Sequence, residues 1–228
     1  MKQFAALLIG MMLAGSCENN RTLHCQDSQA RIYFQEHDLI EDARLACEGV
    51  EIAGDFLATH GFEADIPITI RVLTTDHHVE GVPAFGHFSV SANEIVMMSR
   101  SAIERRSGSD VVFGLPFDRR LYRSFVVHEV AHAIVAHNAG SNQPPRLTHE
   151  YIAYVSQLAT MPADLKERIL ARSNATLPAA LQETTETCGE IPTDTFALKS
   201  YQHFLRAKRE PDVLKNALSN RTTPEGCR

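Results

Sequence analysis

The chain has 228 residues, of which 44% are hydrophobic and 22% charged, with a formal net charge of -6. That apolar content suffices for one substantial core and excludes intrinsic disorder, so a single compact domain is expected. The acidic balance leaves no basic surface for a nucleic-acid partner.

At the N-terminus, Met1-Lys2-Gln3 precedes an apolar run from Phe4 to Ala14 and small residues around Gly15-Ser16-Cys17. This is the layout of a secretory signal peptide, and the run is too short to span a membrane as a mature helix. Residues 1–16 are therefore read as the signal and 17–228 as the single domain. Two processing routes stay open: ordinary cleavage after the small residues Ala14-Gly15-Ser16, or a lipoprotein box at Leu13 to Cys17 whose leucine lies one position too far from the cysteine. The protein is expected to be exported, periplasmic or secreted, with membrane attachment only through lipidation of Cys17. With Cys17 set aside, Cys25, Cys47, Cys188 and Cys227 form an even set suited to an oxidising compartment. Pairing Cys25 with Cys47 and Cys188 with Cys227 closes a modest loop near each end of the domain.

A short strand is expected at Ala30 to Phe34, then an amphipathic helix from Leu39 to His60 with Leu39, Ala43, Ala46, Val50, Ala53 and Leu57 on one stripe, stopped by Gly61. Ile66 to Leu73 alternates and is rich in β-branched residues, which predicts a strand; two more follow around Phe88-Ser89-Val90 and Glu94 to Met98, with a turn at Ala92-Asn93. Asp118 is a good N-cap for a helix ending before Gly140. A further helix opens near Pro144-Pro145 with the stripe Leu147, Tyr151, Val155 and Leu158. Helices are also expected over Ala163 to Ser173 and over Phe196 to Leu218, the latter interrupted at Pro211. The fold class is α+β, with strands in the first half and helices in the second.

The helix after Asp118 carries His128-Glu129-Val130-Ala131-His132, a His-Glu-x-x-His motif in nearly all-apolar surroundings. Residues four apart share a helix face, so the two imidazoles can converge on one cation, while Glu129, rotated by about 100°, reaches beside the metal as a base for its water. Burying two histidines and a carboxylate among Val, Ala and Ile is costly unless something satisfies them, and one zinc ion per chain would do so.

A zinc hydrolase needs a third protein ligand. His137 lies nine residues after His128, on the opposite side of the helix, and Val135 and Asn138 stand where a metzincin would have glycine and histidine. Glu150, on the next helix, borders its buried stripe and completes a His-His-Glu set; His149 beside it points about 100° away. Glu150 is the favoured ligand.

Through His128-Glu129-Val130-Ala131-His132 and the looser His149-Glu150-Tyr151-Ile152-Ala153-Tyr154, the sequence resembles the gluzincin branch of the zincin metallopeptidases, over roughly Ile66 to Met161. The resemblance implies a zincin-like catalytic domain, zinc held by His128, His132 and Glu150, and a peptidase acting on peptide or protein through a zinc-bound water activated by Glu129. It also implies a cleft-lining strand that pairs with extended substrate, a role that would fall to Glu94 to Met98. Many relatives have an aspartate four residues after the ligand glutamate to orient a ligand histidine; in this chain Tyr154 stands there, so another carboxylate or carbonyl must do so. Tyr154, Tyr151, Tyr201 and His203 are candidates for holding the oxyanion. His77, His78 and His87 are read as loop or strand-edge residues, with a second metal site as a minor alternative. Two rival readings remain open: a non-catalytic surface binding protein on a degenerate zincin, and a zinc amidase acting on non-peptide cell-wall material.

Overall fold

The computed structural model describes residues 21–107, 112–176, 193–207 and 212–220. The fold is mixed α and β. Strands β1 (Arg21–His24), β2 (Arg31–Phe34), β3 (Thr69–Leu73), β6 (Gly86–Ser89) and β7 (Glu94–Met98) form one sheet in the order β1-β2-β3-β7-β6. The two central pairings, β2 with β3 and β3 with β7, are parallel, and the two outer ones are antiparallel. A two-stranded hairpin, β4 (His78–Val79) and β5 (Val82–Pro83), is inserted between β3 and β6. Its turn residues Glu80 and Gly81 both have positive φ, as a tight two-residue hairpin requires.

A parallel pair needs a crossover, and α1 (Ile40–Thr59) supplies it between β2 and β3. The anticipated stripe of α1 faces the core, with Ala43, Ala46, Ala53 and Leu57 fully buried. Helix α3 (Arg119–Ala139) packs between α1, the sheet and α4 (Arg146–Thr160). It is buried on nearly every side, from Leu121 to Ala136, as an all-round apolar helix must be. Asp118 caps it by accepting the backbone N–H groups of Arg120 and Leu121, both at 2.9 Å. Contact between α1 and α3 depends on Gly49: a Cβ there would stand 2.6 Å from Val126 Cγ1 and 2.7 Å from Val126 Cβ.

The remaining helices are α2 (Arg100–Ser107), α5 (Ala163–Thr176), α6 (Thr193–Ala207) and α7 (Val213–Asn220). Asp42, buried on α1, ties down the start of α2 by accepting Arg100 N at 2.9 Å and Arg100 Nε at 2.6 Å. The third strand begins at Thr69 rather than Ile66, because Pro67 has no N–H to give to a ladder.

The Cys25–Cys47 disulfide expected from the sequence is present and straps the β1–β2 turn to α1. Such a bond belongs with an oxidising compartment. Among the described residues, no helix is long and apolar enough to cross a membrane. The signal segment 1–16, Cys17, Cys188, Cys227 and Pro211 lie outside the described residues.

One expectation is corrected by the sheet order. Glu94 to Met98 was to offer its backbone to substrate, yet β7 is paired on both sides, to β3 and to β6, and has no free edge. Among the described residues, the open edge on that side belongs to β6.

Candidate metal centre and its cleft

The His-Glu-x-x-His motif falls in the middle of α3, and one helical turn brings His128 Nε2 to 3.1 Å from His132 Nε2. A short connection returns the chain along α3 as α4, whose second turn presents Glu150. Its Oε2 lies 3.4 Å from His128 Nε2 and 3.8 Å from His132 Nε2. These three are the His/Cys/Asp/Glu group, among the described residues, whose ligand atoms converge closely enough to hold one metal ion. Bonds of about 2.0–2.1 Å to a tetrahedral ion would set donors about 3.3–3.4 Å apart, so the observed triangle fits with small adjustments.

The titration behaviour follows from crowding and burial. Burial lowers the pKa of His132 to about 3, and the charge of His128 adds to the effect. Burial also lowers the pKa of His128, but the hydrogen bond it donates to Glu150 and the charges of Glu129 and Glu150 raise it on balance. Burial opposes ionisation of Glu150, yet its hydrogen bond with His128 and the charges of His128, His132 and Arg146 hold its carboxyl down to about 2. Two ring nitrogens 3.1 Å apart cannot both be protonated, and two lone pairs at that distance repel unless a cation or a proton lies between them.

Glu129 is buried at the side of this group. Burial pushes its carboxyl up to about 7, the charge of Glu150 adds to the rise, and the His128 charge and the Phe88 backbone N–H oppose it. That contact with β6 is made possible by Gly86, where a Cβ would stand 2.6 Å from Met97 Sδ, 2.9 Å from Glu129 Cγ and 3.1 Å from Glu129 Oε1. A glycine inside a strand marks a close approach, and here the approach is that of Glu129.

These residues open onto a cleft of about 820 Å³. One wall is β6, with Gly86, His87 and Phe88; the β4–β5 hairpin adds Val79 and Val82; α4 adds Arg146 and Tyr154, and α6 adds Asp194. Val82 and Val90 are exposed apolar side chains on its lining. Burial raises the pKa of Asp194, against the pull of the Phe113 N–H that it accepts.

The remaining candidates are distributed differently. Tyr154 lines the cleft with its ring 4.4 Å from that of His128, and burial drives its pKa far upward, so its hydroxyl stays a neutral donor. Tyr151, Tyr201 and His203 are not among the cleft-lining residues: Tyr151 Oη pairs with His203 Nδ1 at 2.8 Å, and Tyr201 is buried beneath Lys166. His137 is half-exposed and lies 3.5 Å from Glu63, away from the cluster. His149 lines the cleft but pairs with Gln143 at 3.2 Å. His87, on β6, also lines the cleft; His77 lies against it with ring centroids 6.4 Å apart, and neither joins the three-donor group.

A family profile, described as a family of unknown function (DUF6639), matches residues 36–225. The chain belongs to this DUF6639 family. The match takes in every helix from α1 to α7 and the whole three-donor group, while β1 and β2 precede it. No curated protein and no solved structure matches this DUF6639 chain. Sequence reasoning had missed Gly86, Arg146 and Asp194; of these, only Gly86 carried a signal, as a glycine beside strand-forming residues.

Proposed function

We propose that this DUF6639 protein is a zinc-dependent peptidase with a zincin-like catalytic arrangement. The observation that carries the reading is the convergence of His128 Nε2, His132 Nε2 and Glu150 Oε2 within 4.8 Å of one another, with Glu129 buried beside them. Two imidazoles and one carboxylate form a donor set suited to catalytic zinc, and three protein ligands leave a coordination position open. When bound, such an ion acts as a Lewis acid that acidifies water and polarises a carbonyl.

The chain's own residues supply the rest. Glu129, with its carboxyl held near 7, can take a proton from water at neutral pH and return it to a departing amine. The Phe88 N–H favours the ionised form of that carboxylate, and Gly86 lets it lie against β6. Among the described residues no strand pairs with the outer edge of β6, which borders the cleft, so an extended peptide can add to the sheet as one more strand. Main-chain pairing of that kind selects for an extended backbone and only weakly for sequence. Tyr154, neutral and beside His128, is placed to donate to the oxygen that develops charge.

The test is the zinc content of the purified protein, paired with hydrolysis of unfolded casein by wild type and by Glu129→Gln. One zinc per chain, with hydrolysis reduced by roughly 10²–10⁴-fold in a variant that keeps its metal, is the expected outcome. Zinc without hydrolysis in either protein would turn the reading toward a binding protein or a non-peptide amidase. No uptake of zinc on reconstitution would sink it.

A further inference from the structure

His128 has a second ring nitrogen, Nδ1, which is buried and meets no conventional hydrogen-bond partner. Close by in the fold is a second orphan, the amide oxygen of Gln157, on a side chain that is completely buried. Gln157 lies on α4 two turns after Glu150, facing α3. An uncompensated ring nitrogen and an uncompensated amide oxygen in the same core are each expensive, unless each is the other's partner.

The direction of the amide is set by its other end. Ser124 Oγ, on α3 one turn before His128, donates its hydrogen to Leu121 O at 2.8 Å. Its oxygen is then left to accept, and Gln157 Nε2 donates to it at 3.2 Å. With the NH₂ group committed to Ser124, the Gln157 oxygen must point elsewhere. Ser124 and His128 lie one turn apart on the same face of α3, so an amide held at Ser124 lies beside the His128 ring.

We propose that Gln157 is the positioning residue for His128: its amide oxygen accepts Nδ1–H, which leaves Nε2 unprotonated and aimed at His132 and Glu150. The relay runs Leu121 C=O, Ser124 hydroxyl, Gln157 amide, His128 ring, and it lies wholly on α3 and α4. It fills the place left vacant by Tyr154, which cannot accept in the way a carboxylate does. The inference rests on the metal-site reading, but the tautomer of His128 can be read without any metal.

The experiment combines ¹⁵N imidazole NMR of the full chain at alkaline pH, before and after zinc addition, with competitive zinc titration of wild type, Gln157→Leu, Gln157→Glu and Ser124→Ala. In wild type, His128 is expected as the Nδ1–H tautomer with a slowly exchanging proton. Gln157→Leu, which cannot accept, should lose that proton signal and bind zinc roughly 10–100-fold more weakly. Gln157→Glu should keep both the tautomer and zinc affinity within a few-fold of wild type, and Ser124→Ala should weaken binding by a smaller factor. If Gln157→Leu fails to fold, the tautomer in wild type and Gln157→Glu and the affinity of Ser124→Ala still decide the matter. An Nε2–H tautomer in wild type, or wild-type zinc affinity in folded Gln157→Leu, would overturn the assignment. Failure of wild type to take up zinc would defeat the metal reading, while the NMR result would still decide the role of Gln157.

Discussion

Gly49→Ala is ordinarily a stabilising kind of change, since alanine in a helix interior is favoured over glycine by about 1 kcal/mol. In this protein the opposite sign is expected. The new methyl would lie 2.7 Å from Val126 Cβ and 2.6 Å from its Cγ1, and 3.3 Å from Arg123 O. Ordinary carbon contacts are about 3.5 Å or more, so α1 and α3 must separate by roughly 0.8 Å. Val126 is fully buried and β-branched, which leaves it little freedom to turn aside. Overpacking costs about 1–3 kcal/mol, and a wholly buried Val126 that cannot turn aside sets it at about 2–3 here, so a net loss of about 1–2 kcal/mol remains after the helix-propensity gain. For a domain of this size that lowers Tm by roughly 2–8 °C, read by circular dichroism or calorimetry. Zinc affinity should fall with it, because His128 follows Val126 by two residues on the displaced helix. A Tm equal to or above that of wild type would refute the argument that the two helices touch backbone to side chain at Gly49.

Three other outcomes are expected. Gly86→Ala should move Glu129 by roughly 0.6 Å or more to relieve the 2.9 Å contact, with zinc retained and kcat on a peptide substrate reduced roughly ten- to hundredfold; activity within twofold of wild type would remove Gly86 as the seat of the base. Tyr154→Phe keeps the ring against His128 but removes the hydroxyl, so kcat should drop by about 10²-fold with KM and zinc content unchanged, whereas an unaltered kcat would exclude it as a donor. Without zinc, the cluster makes stability fall with acidification below about pH 3.5: Glu150, held down to about 2, and His132, held down to about 3, bind fewer protons folded than unfolded, while Glu129, raised from 4.5 to about 7 by folding, is protonated in both states there. Thermal melts from about pH 3.5 toward 2 should therefore show a shallower decline for Glu150→Gln than for wild type, and equal slopes would contradict the ionised carboxylate.

The helices were legible because their signals are local. Apolar spacing marked α1, α3 and α4, Asp118 marked a start, and four-residue spacing placed His128 and His132 on one face. The Cys25–Cys47 pair was legible from loop length. What could not be read was sheet order, because hydrogen bonding between strands is set by partners far away in sequence. The resemblance gave the substrate-pairing role to Glu94 to Met98, but β3 occupies one of its sides and β6 the other. Helix α2 was missed because Arg100 to Ser107 is largely polar and buries only Ala102 and Ile103 on one side. Gln157 was invisible as a positioning residue because glutamine at a buried helix position carries no motif; its meaning comes from Ser124 and His128 on the neighbouring helix.

All three candidate metal donors, together with Gln157 and Ser124, belong to two consecutive helices, whereas the opposite wall of the cleft is β6, held by a sheet whose other strands come from the first half of the chain. A perturbation that loosened the sheet and left the α3–α4 pair packed would spare the donors while displacing Gly86 and Phe88 from Glu129. For the peptidase proposed above, metal content would then be a poor gauge of competence in aged or partly damaged preparations, which could hold their full complement of ion and turn over nothing.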